Sequence, residues 1–178
     1  MNSPRRDRIR DAFGAAARDY ETHAGIQRTV AQTLAQLAAN QPLPPAPHIL
    51  EIGCGTGLLS RELRSLFPAA ELTITDLSPD MVDMVSREAT LAAYFAVMDG
   101  EAPIFDRPMF DLIVSSLAFQ WFGDLRSALT RLYALLRPGG TLMFSTMAER
   151  SFAQWRSAHE ACGVHAGTPE YPSIDALQ

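Results

Sequence analysis

The chain has 178 residues, enough for one domain with a sizeable core, and its composition, 47% hydrophobic and 20% charged, is that of an ordinary globular protein. A net charge of -5 argues against general nucleic-acid binding, which needs a basic surface to replace counterions. Cys54 and Cys162 cannot build a disulfide framework, and no Cys/His group has zinc-like spacing. No stretch approaches the ~20 apolar residues of a membrane span, and residues 1–10 do not lead into the apolar core of a signal peptide. We therefore expect a cytoplasmic protein without a bound metal and without nucleic-acid or membrane partners.

The sequence of the first part of the chain predicts helices. A charged run holds four arginines, which form either a solvated face or a basic arm for an acidic partner: Arg5, Arg6, Arg8 and Arg10. One helix face further on is predicted to carry Ile26, Val30, Leu34 and Leu37. The proline-rich stretch 41–47 cannot continue that helix. We predict a helical cap over residues 1–41 and a second domain over 42–178.

The second domain alternates strands and helices. We predict strands over 48–53, 71–76, 92–98, 110–116 and 141–147, and helices over 57–66, 79–89, 124–137 and 151–162. Ser78 is the expected cap of the helix that opens at Pro79, and residues 137–140 (Arg-Pro-Gly-Gly) are typical of a helix end followed by a tight turn. Alternating strands and helices with short loops predict a mostly parallel sheet covered on both faces, with ligands beyond the carboxyl ends of the strands.

A glycine-rich turn follows the first predicted strand. Its sequence, residues 48–57, is His-Ile-Leu-Glu-Ile-Gly-Cys-Gly-Thr-Gly, and an amphipathic helix comes next. Glycines here accept positive φ and let a ligand lie against the backbone, while the helix start offers unpaired N–H groups. Leu58 stands where the dinucleotide-binding fingerprint wants a small residue. A merely structural strand–helix turn is the alternative.

Two further acids follow the next strands. Asp76 ends the second predicted strand, about twenty residues after the glycines, where a carboxylate can accept hydrogen bonds from ribose hydroxyls, and Asp99 ends the third. With the glycine turn, this arrangement resembles class I S-adenosylmethionine (SAM)-dependent methyltransferases. The resemblance implies a Rossmann-like fold and places ten residues at the cofactor: Gly53, Gly55, Gly57, Asp76, Leu77, Met81, Asp99, Gly100, Gln27 and Ser115.

Three stretches narrow the resemblance to the malonyl-acyl-carrier-protein O-methyltransferases of biotin synthesis. They are the Phe13…Tyr20…His23…Gln27 head, the Leu-Ala-Phe-Gln-Trp signature at 117–121, and Phe-Ser-Thr at 144–146. Members of that family transfer a methyl group from SAM to the free carboxylate of a malonyl thioester and release S-adenosylhomocysteine. The resemblance therefore implies malonyl-acyl-carrier protein, or malonyl-coenzyme A, as partner. We expect a monomer.

The same resemblance suggests roles near the acceptor. Tyr20, His23 and Gln120 are expected to position the reacting groups, and Trp121 to contact the substrate. A carboxylate is already ionised at neutral pH, so no general base is required. An arginine is the natural partner for it, and Arg150 and Arg156 are the candidates.

Several alternatives stay open from the sequence. The chain could act on another small carboxylate or carbon acceptor, bind SAM without catalysis, or be a dinucleotide-dependent oxidoreductase, against which Leu58 and Asp99 argue. Only 31 residues follow Met147, so we also expect the C-terminal antiparallel strands of the family to be missing from this chain.

Overall fold

The computed structural model of the chain describes residues 25–177. Its contacts divide the chain into two units, the first ending at Ser145 and the second beginning at Thr146.

In the described part of the first unit, five strands alternate with helices. The strands are β1 (His48–Ile52), β2 (Glu71–Asp76), β3 (Tyr94–Val97), β4 (Phe110–Ser116) and β5 (Leu136–Ser145). The helices are α1 (Gly25–Ala39), α2 (Leu58–Leu66), α3 (Pro79–Ser86) and α4 (Leu125–Tyr133). Short 3-10 turns occupy Ala89–Leu91 and Phe119–Trp121.

The five strands form one sheet in the order β3-β2-β1-β4-β5, and every neighbouring pair is parallel. This confirms the predicted Rossmann-like parallel sheet. The strand order reverses between β1 and β4, because successive strands are laid down first on one side of β1 and then on the other. In such sheets the crevice at the carboxyl ends of the two central strands is the usual ligand site.

Both faces of the sheet are covered, as predicted. One apolar cluster joins α1, α2 and α3 to side chains such as Ile49 of β1 and Leu112 of β4. The other joins α4 to Leu50 and Ile113 on the opposite face of the same strands. The alternation of neighbouring residues between clusters follows from the two-residue period of a strand.

Helix α1, assigned to the cap from sequence, packs into the first of these clusters. Its buried residues are Ala31, Leu34, Ala35 and Ala38. The predicted apolar face is wrong in part, since Ile26 is 74% exposed and Leu37 is 50% exposed. The buried side of α1 consists mainly of alanines instead, because small side chains let α1 lie close against α2.

The predicted end of the α4 helix and the turn after it are also wrong. Helix α4 ends at Tyr133, and residues 137–140 already belong to β5, which pairs with β4 from Leu136 onward through an irregularity near Phe110. Arg137 donates to Asp111 Oδ2 over 2.9 Å, and the same oxygen accepts the backbone N–H of His48 over 2.8 Å. This carboxylate therefore holds the starts of β1, β4 and β5 together, which accounts for strand geometry in a stretch rich in proline and glycine.

The second unit contains α5 (Ala153–Ala161) and the short helix α6 (Ile174–Leu177). The Trp155 indole N–H donates to the carbonyl of Ala166 over 3.0 Å, and the backbone N–H of Glu149 donates to Pro172 O over 2.9 Å. Among residues 25–177, no helix combines the length and the apolar character that crossing a membrane requires.

Candidate active site

The turn after β1 requires glycine for two different reasons. Gly53 and Gly55 have φ of 73° and 52°, in the left-handed region that other residues rarely adopt. A Cβ on Gly53 would lie 2.5 Å from Ala118 Cβ, so the residue after β4 closes against this glycine. A Cβ on Gly55 would meet nothing within 4 Å. Gly55 therefore leaves its space to a cavity, whereas Gly53 leaves its space to the protein.

That cavity lies at the carboxyl ends of the strands, over the glycine turn. Nine residues predicted from sequence to contact cofactor or substrate line it: Gln27, Gly53, Gly55, Asp76, Leu77, Met81, Asp99, Gly100 and Trp121. They come from α1, from the ends of β1, β2 and β3, and from the segment after β4. The parallel topology brings them together because all these strands end at one edge.

Asp76 is held in place by the turn that it faces. Its Oδ2 accepts the Gly55 N–H over 2.9 Å and its Oδ1 accepts the Ser78 N–H over 2.8 Å. Burial raises the pKa of Asp76, and the backbone N–H groups of Ser78, Gly55 and Leu77 counter part of that rise. The carboxylate is thus fixed by neutral donors and keeps acceptor capacity toward the cavity.

Glu51 of β1 is a second buried carboxyl in the lining, and the sequence analysis gave it no role. It is 1% exposed, and its Oε2 accepts the Ser60 hydroxyl over 2.6 Å. Burial raises the pKa of Glu51 from its ordinary 4.5 to about 7, with the nearby Asp76 charge adding to the rise. The signal that could have found it is a lone acid in an otherwise apolar strand directly before the glycines.

Asp99 and Glu101 add two more carboxyls beyond β3. Asp99 Oδ1 accepts the backbone N–H of Glu101 over 2.9 Å. The described lining thus contains four carboxyl groups and no lysine, arginine or histidine. It also contains Cys54, whose thiol pKa is raised by burial and then by the carboxyls of Asp76 and Glu51, so the thiol stays protonated. Among the described residues no His/Cys/Asp/Glu group is arranged to hold a metal ion.

Two hydroxyls beside the turn have no hydrogen-bond partner among the described residues. They are Thr56 Oγ1, in the cavity lining, and Ser78 Oγ, at the start of α3. The predicted cap at Ser78 is therefore made without its side chain, although Pro79 occupies the first turn as expected. Unsatisfied buried hydroxyls are rare in proteins and mark places where a ligand or water completes the bonding.

The sequence comparisons agree with this geometry. Residues 49–140 match the family model described as "Methyltransferase domain". The chain is 42% identical over 187 aligned residues to a malonyl-acyl-carrier-protein O-methyltransferase of Magnetococcus marinus, covering 100% of this chain and 68% of that protein. This chain belongs to the malonyl-acyl-carrier-protein O-methyltransferase family.

Other relatives in the family are longer than this chain. A biotin biosynthesis bifunctional protein of Bordetella avium is 48% identical over 93% of this chain, which spans 36% of its length. The Salmonella typhimurium malonyl-acyl-carrier-protein O-methyltransferase is 38% identical over 95% of this chain, which spans 65% of its length.

Solved structures show the fold shared by the family. A SAM-dependent methyltransferase of Thermotoga maritima gives a TM-score of 0.68 at 18% identity, covering 95% of this chain and 76% of that one. A sugar N-methyltransferase of Streptoalloteichus gives 0.61 at 23% identity, covering 74% and 53%. The cyclase SpnF gives 0.65 at 20% identity, covering 82% and 53%. Because a cyclase shares this fold, the fold alone does not assign a reaction.

Three residues that the family resemblance placed at the site lie outside the cavity lining. The Ser115 hydroxyl is fully buried and donates to Ile52 O over 2.7 Å, while its neighbour Ser116 lines the cavity instead. Gln120 donates to Leu117 O over 2.5 Å. A Cβ on Gly57 would lie 3.3 Å from Arg61 and Val85, so this glycine serves helix packing.

The remaining predicted residues of the family site are not in this cavity's described walls. Tyr20 and His23 lie outside the described residues. Arg150 and Arg156 belong to the second unit. There the Arg156 guanidinium donates to the carbonyls of Ser151 and Glu149. Leu117, the first residue of the predicted signature, also lines the cavity, as does Phe122, to which the sequence gave no role.

Proposed function

We propose that this chain is a SAM-dependent methyltransferase whose acceptor is the free carboxylate of malonyl-acyl-carrier protein. The observation that carries the cofactor assignment is the charge of the cavity, with four carboxyls and no basic side chain in its described lining. SAM brings a sulfonium and an ammonium group, which such a cavity attracts. A nicotinamide dinucleotide brings anionic phosphates, which it repels.

The residues present fit SAM at several points. Gly55 leaves open space above the backbone, and the Thr56 hydroxyl in the lining has no partner among the described residues. Asp76 would accept from the ribose hydroxyls, and the apolar side chains of Leu77 and Met81 would cover the adenine. When bound, SAM supplies an electrophilic methyl group on a positively charged sulfur.

The remaining work of the site is orientation. A malonyl carboxylate is ionised at neutral pH, so the protein needs no general base and has to hold the attacking oxygen in line with the methyl carbon. Leu117, Trp121 and Phe122 would form the apolar wall that excludes water around the reacting groups.

The described lining offers no cation for the substrate carboxylate, so an arginine would have to come from elsewhere in the chain. Arg150 is the better of the two candidates. The Arg150 side chain is exposed and makes no ion pair or hydrogen bond within residues 25–177, whereas the Arg156 guanidinium donates to two backbone carbonyls of its own unit.

The acceptor assignment is supported by the relatives. Those at 42% and 38% identity are named for methylation of the malonyl-acyl-carrier protein. The chain spans 68% and 65% of the lengths of these two relatives and 36% of the bifunctional one. We therefore also propose that this chain is active by itself.

Cofactor choice is tested first by thermal shift. We expect SAM and S-adenosylhomocysteine to raise the melting temperature and NAD or NADP to leave it unchanged. Stabilisation by a dinucleotide but not by SAM would overturn the assignment and favour an oxidoreductase.

Acceptor choice is tested with radiolabelled SAM and a panel of malonyl-carrier protein, malonyl-coenzyme A, the corresponding acetyl thioesters and small carboxylic acids. We expect a base-labile methyl ester on the malonyl thioesters and none on the acetyl thioesters, which lack the free carboxylate. Transfer only to an unrelated acceptor would replace the proposed substrate. SAM binding without transfer to any acceptor would make the chain a non-catalytic binding module.

A further inference from the structure

The segment after β4, residues 117–124, forms one wall of the cavity through Trp121 and Phe122. Apart from the 3-10 turn Phe119–Trp121 it has no regular secondary structure. We name it the β4 loop. Since Trp121 and Phe122 line the cavity, the contacts that fix the β4 loop also fix the shape of this wall.

At its leading end the β4 loop is held by β5. Leu117 has a left-handed backbone with φ of 52°, which is unfavourable for a leucine and persists only where the surroundings impose it. The Leu117 N–H donates to Ser145 O over 3.0 Å and approaches Ser145 Oγ at 3.1 Å.

At its trailing end the β4 loop is held by Glu101, which follows β3. One carboxylate oxygen, Oε1, accepts the backbone N–H groups of Gly123 over 3.0 Å and Asp124 over 2.9 Å. Glu101 is 8% exposed, and its own carbonyl accepts from Arg131 of α4 over 2.9 Å. Buried charged acceptors of two N–H groups are among the stronger hydrogen-bonding arrangements in proteins.

Between the two ends, the β4 loop packs closely against the segment that follows β3. A Cβ on Gly100 would lie 2.7 Å from the Phe122 ring, and Phe122 stacks on the buried Phe119 with centroids 4.5 Å apart. Glu101 is adjacent to Gly100 and binds the residue adjacent to Phe122. Its two hydrogen bonds therefore set how closely this part of the wall approaches the cavity.

We propose that Glu101 is a positioning residue: through the N–H groups of Gly123 and Asp124 it fixes Trp121 and Phe122 and thereby orients the acceptor. This rests on the proposed methyl transfer for its kinetic consequence, but not for its structural one. Glu101 also borders the cavity, so the competing role is direct attraction of the positively charged cofactor by its charge. Reach and charge can be separated by substitution.

Two variants make that separation. Glu101→Gln keeps an oxygen acceptor at the same reach and removes the charge, while Glu101→Asp keeps the charge and shortens the reach. Trp121 and Trp155 are the two tryptophans of the chain, so a Trp155→Phe background reports on Trp121 alone. The measurements are Trp121 emission and acrylamide quenching, SAM affinity, and steady-state kinetics with malonyl-carrier protein.

For Glu101→Asp we expect red-shifted, more readily quenched Trp121 emission and a kcat/KM for the acceptor lowered about tenfold or more, since small misplacements near reacting groups are costly. SAM affinity should change by less than about threefold, because the cofactor contacts are left in place. Glu101→Gln should keep the wild-type Trp121 emission and quenching, and its kcat at saturating SAM should lie closer to the wild-type value than that of Glu101→Asp.

Asp111→Asn is the matched control, because Asp111 also accepts a backbone N–H but lies at the opposite edge of the sheet. It should lower stability and leave Trp121 emission unchanged. Wild-type quenching in Glu101→Asp would overturn the proposal, as would quenching of Trp121 in Glu101→Gln as strong as in Glu101→Asp. If the wild type transfers no methyl group, the fluorescence results still decide the structural claim.

Discussion

Carboxyl groups at the two ends of the parallel sheet have opposite surroundings. At the amino end, Asp111 meets the guanidinium of Arg137 and a backbone N–H, and both charged side chains reach solvent. At the carboxyl end, Glu51 is buried and Asp76 is half-buried, and their carboxyls accept only from a hydroxyl and from backbone N–H groups. A paired carboxylate stabilises a fold, while a buried one without a cation costs stability and is typical of a functional site. The amino end secures the strands, and the carboxyl end is prepared for a cationic ligand.

The largest expected effect comes from glycine substitutions at the two ends. Gly55 and Gly139 both have positive φ, 52° and 82°, and a Cβ on either would meet nothing within 4 Å. Valine should therefore impose a backbone strain of about 1–2 kcal/mol at both positions. Only Gly55→Val should also abolish SAM binding, because its side chain would fill the cavity. Calorimetric titration of both variants checks this, and equal SAM affinities would show that the turn does not approach the cofactor.

The next effect is a pH dependence of stability. The pKa of Glu51 is raised to about 7 in the folded chain and is ordinary, 4.5, when unfolded, so stability falls as pH rises from about 4.5 to 7 and then levels off. The free energy of unfolding of Glu51→Gln should not show this loss. Compared with the wild type, the variant should therefore be up to about 3 kcal/mol better off at pH 8 than it is at pH 5. Urea denaturation at both pH values measures it, with Asp106→Asn on the exposed surface as the control for losing one charge. An unchanged pH slope in Glu51→Gln would show that Glu51 titrates normally.

A smaller effect distinguishes Asp76 from Asp111. Asp76→Ala should weaken SAM binding by roughly 1–3 kcal/mol, because the ribose hydroxyls lose a charged acceptor. Asp111→Ala should lower the free energy of unfolding by roughly 1–3 kcal/mol, because His48 N–H and Arg137 lose theirs, and it should not change SAM affinity. Calorimetry measures SAM affinity and chemical denaturation measures stability for both variants. Loss of SAM affinity in Asp111→Ala, or loss of stability alone in Asp76→Ala, would contradict this assignment of roles.

The smallest effect sets the baseline for surface charge. Asp83 and Arg87 form an exposed pair one helical turn apart, with 2.6 Å between Asp83 Oδ2 and Arg87 Nη2. Asp83→Ala should change the free energy of unfolding by less than about 0.5 kcal/mol. A larger change would mean that exposed ion pairs contribute to the free energy of unfolding as much as the pairs at the ends of the sheet.

The strand order and the place of the cavity could be predicted from sequence because their signals are local. The glycine turn, Asp76 and Asp99 each follow a strand, and parallel topology brings strand ends together. Which residues of β4 point to which face of the sheet could not be predicted, because a central parallel strand is apolar on both faces and its sequence shows no alternation. Ser115 was therefore assigned to the site when its neighbour Ser116 lines the cavity.

Other misses come from contacts between distant parts of the chain. Gly53 and Gly100 need to be glycine because Ala118 and Phe122 close against them, and no local pattern announces such a contact. The same holds for β5, where Arg137 was taken as the end of a helix although its pairing with Asp111 keeps it in the sheet. Local propensity was overridden by tertiary contacts in each case.

The absence of basic side chains from the described lining has a consequence for selectivity inside a cell. Adenosine is common to SAM and to the far more abundant nucleotides ATP, ADP and NAD, so contacts to adenine and ribose cannot tell them apart. Phosphates in proteins are held by arginine, lysine and helix N-termini. The described lining includes the start of α2 but no basic side chain, and it adds four carboxyls. We expect these carboxyls to disfavour the anionic competitors, and a synthetic inhibitor for this cavity should carry an amine where a nucleotide carries phosphate.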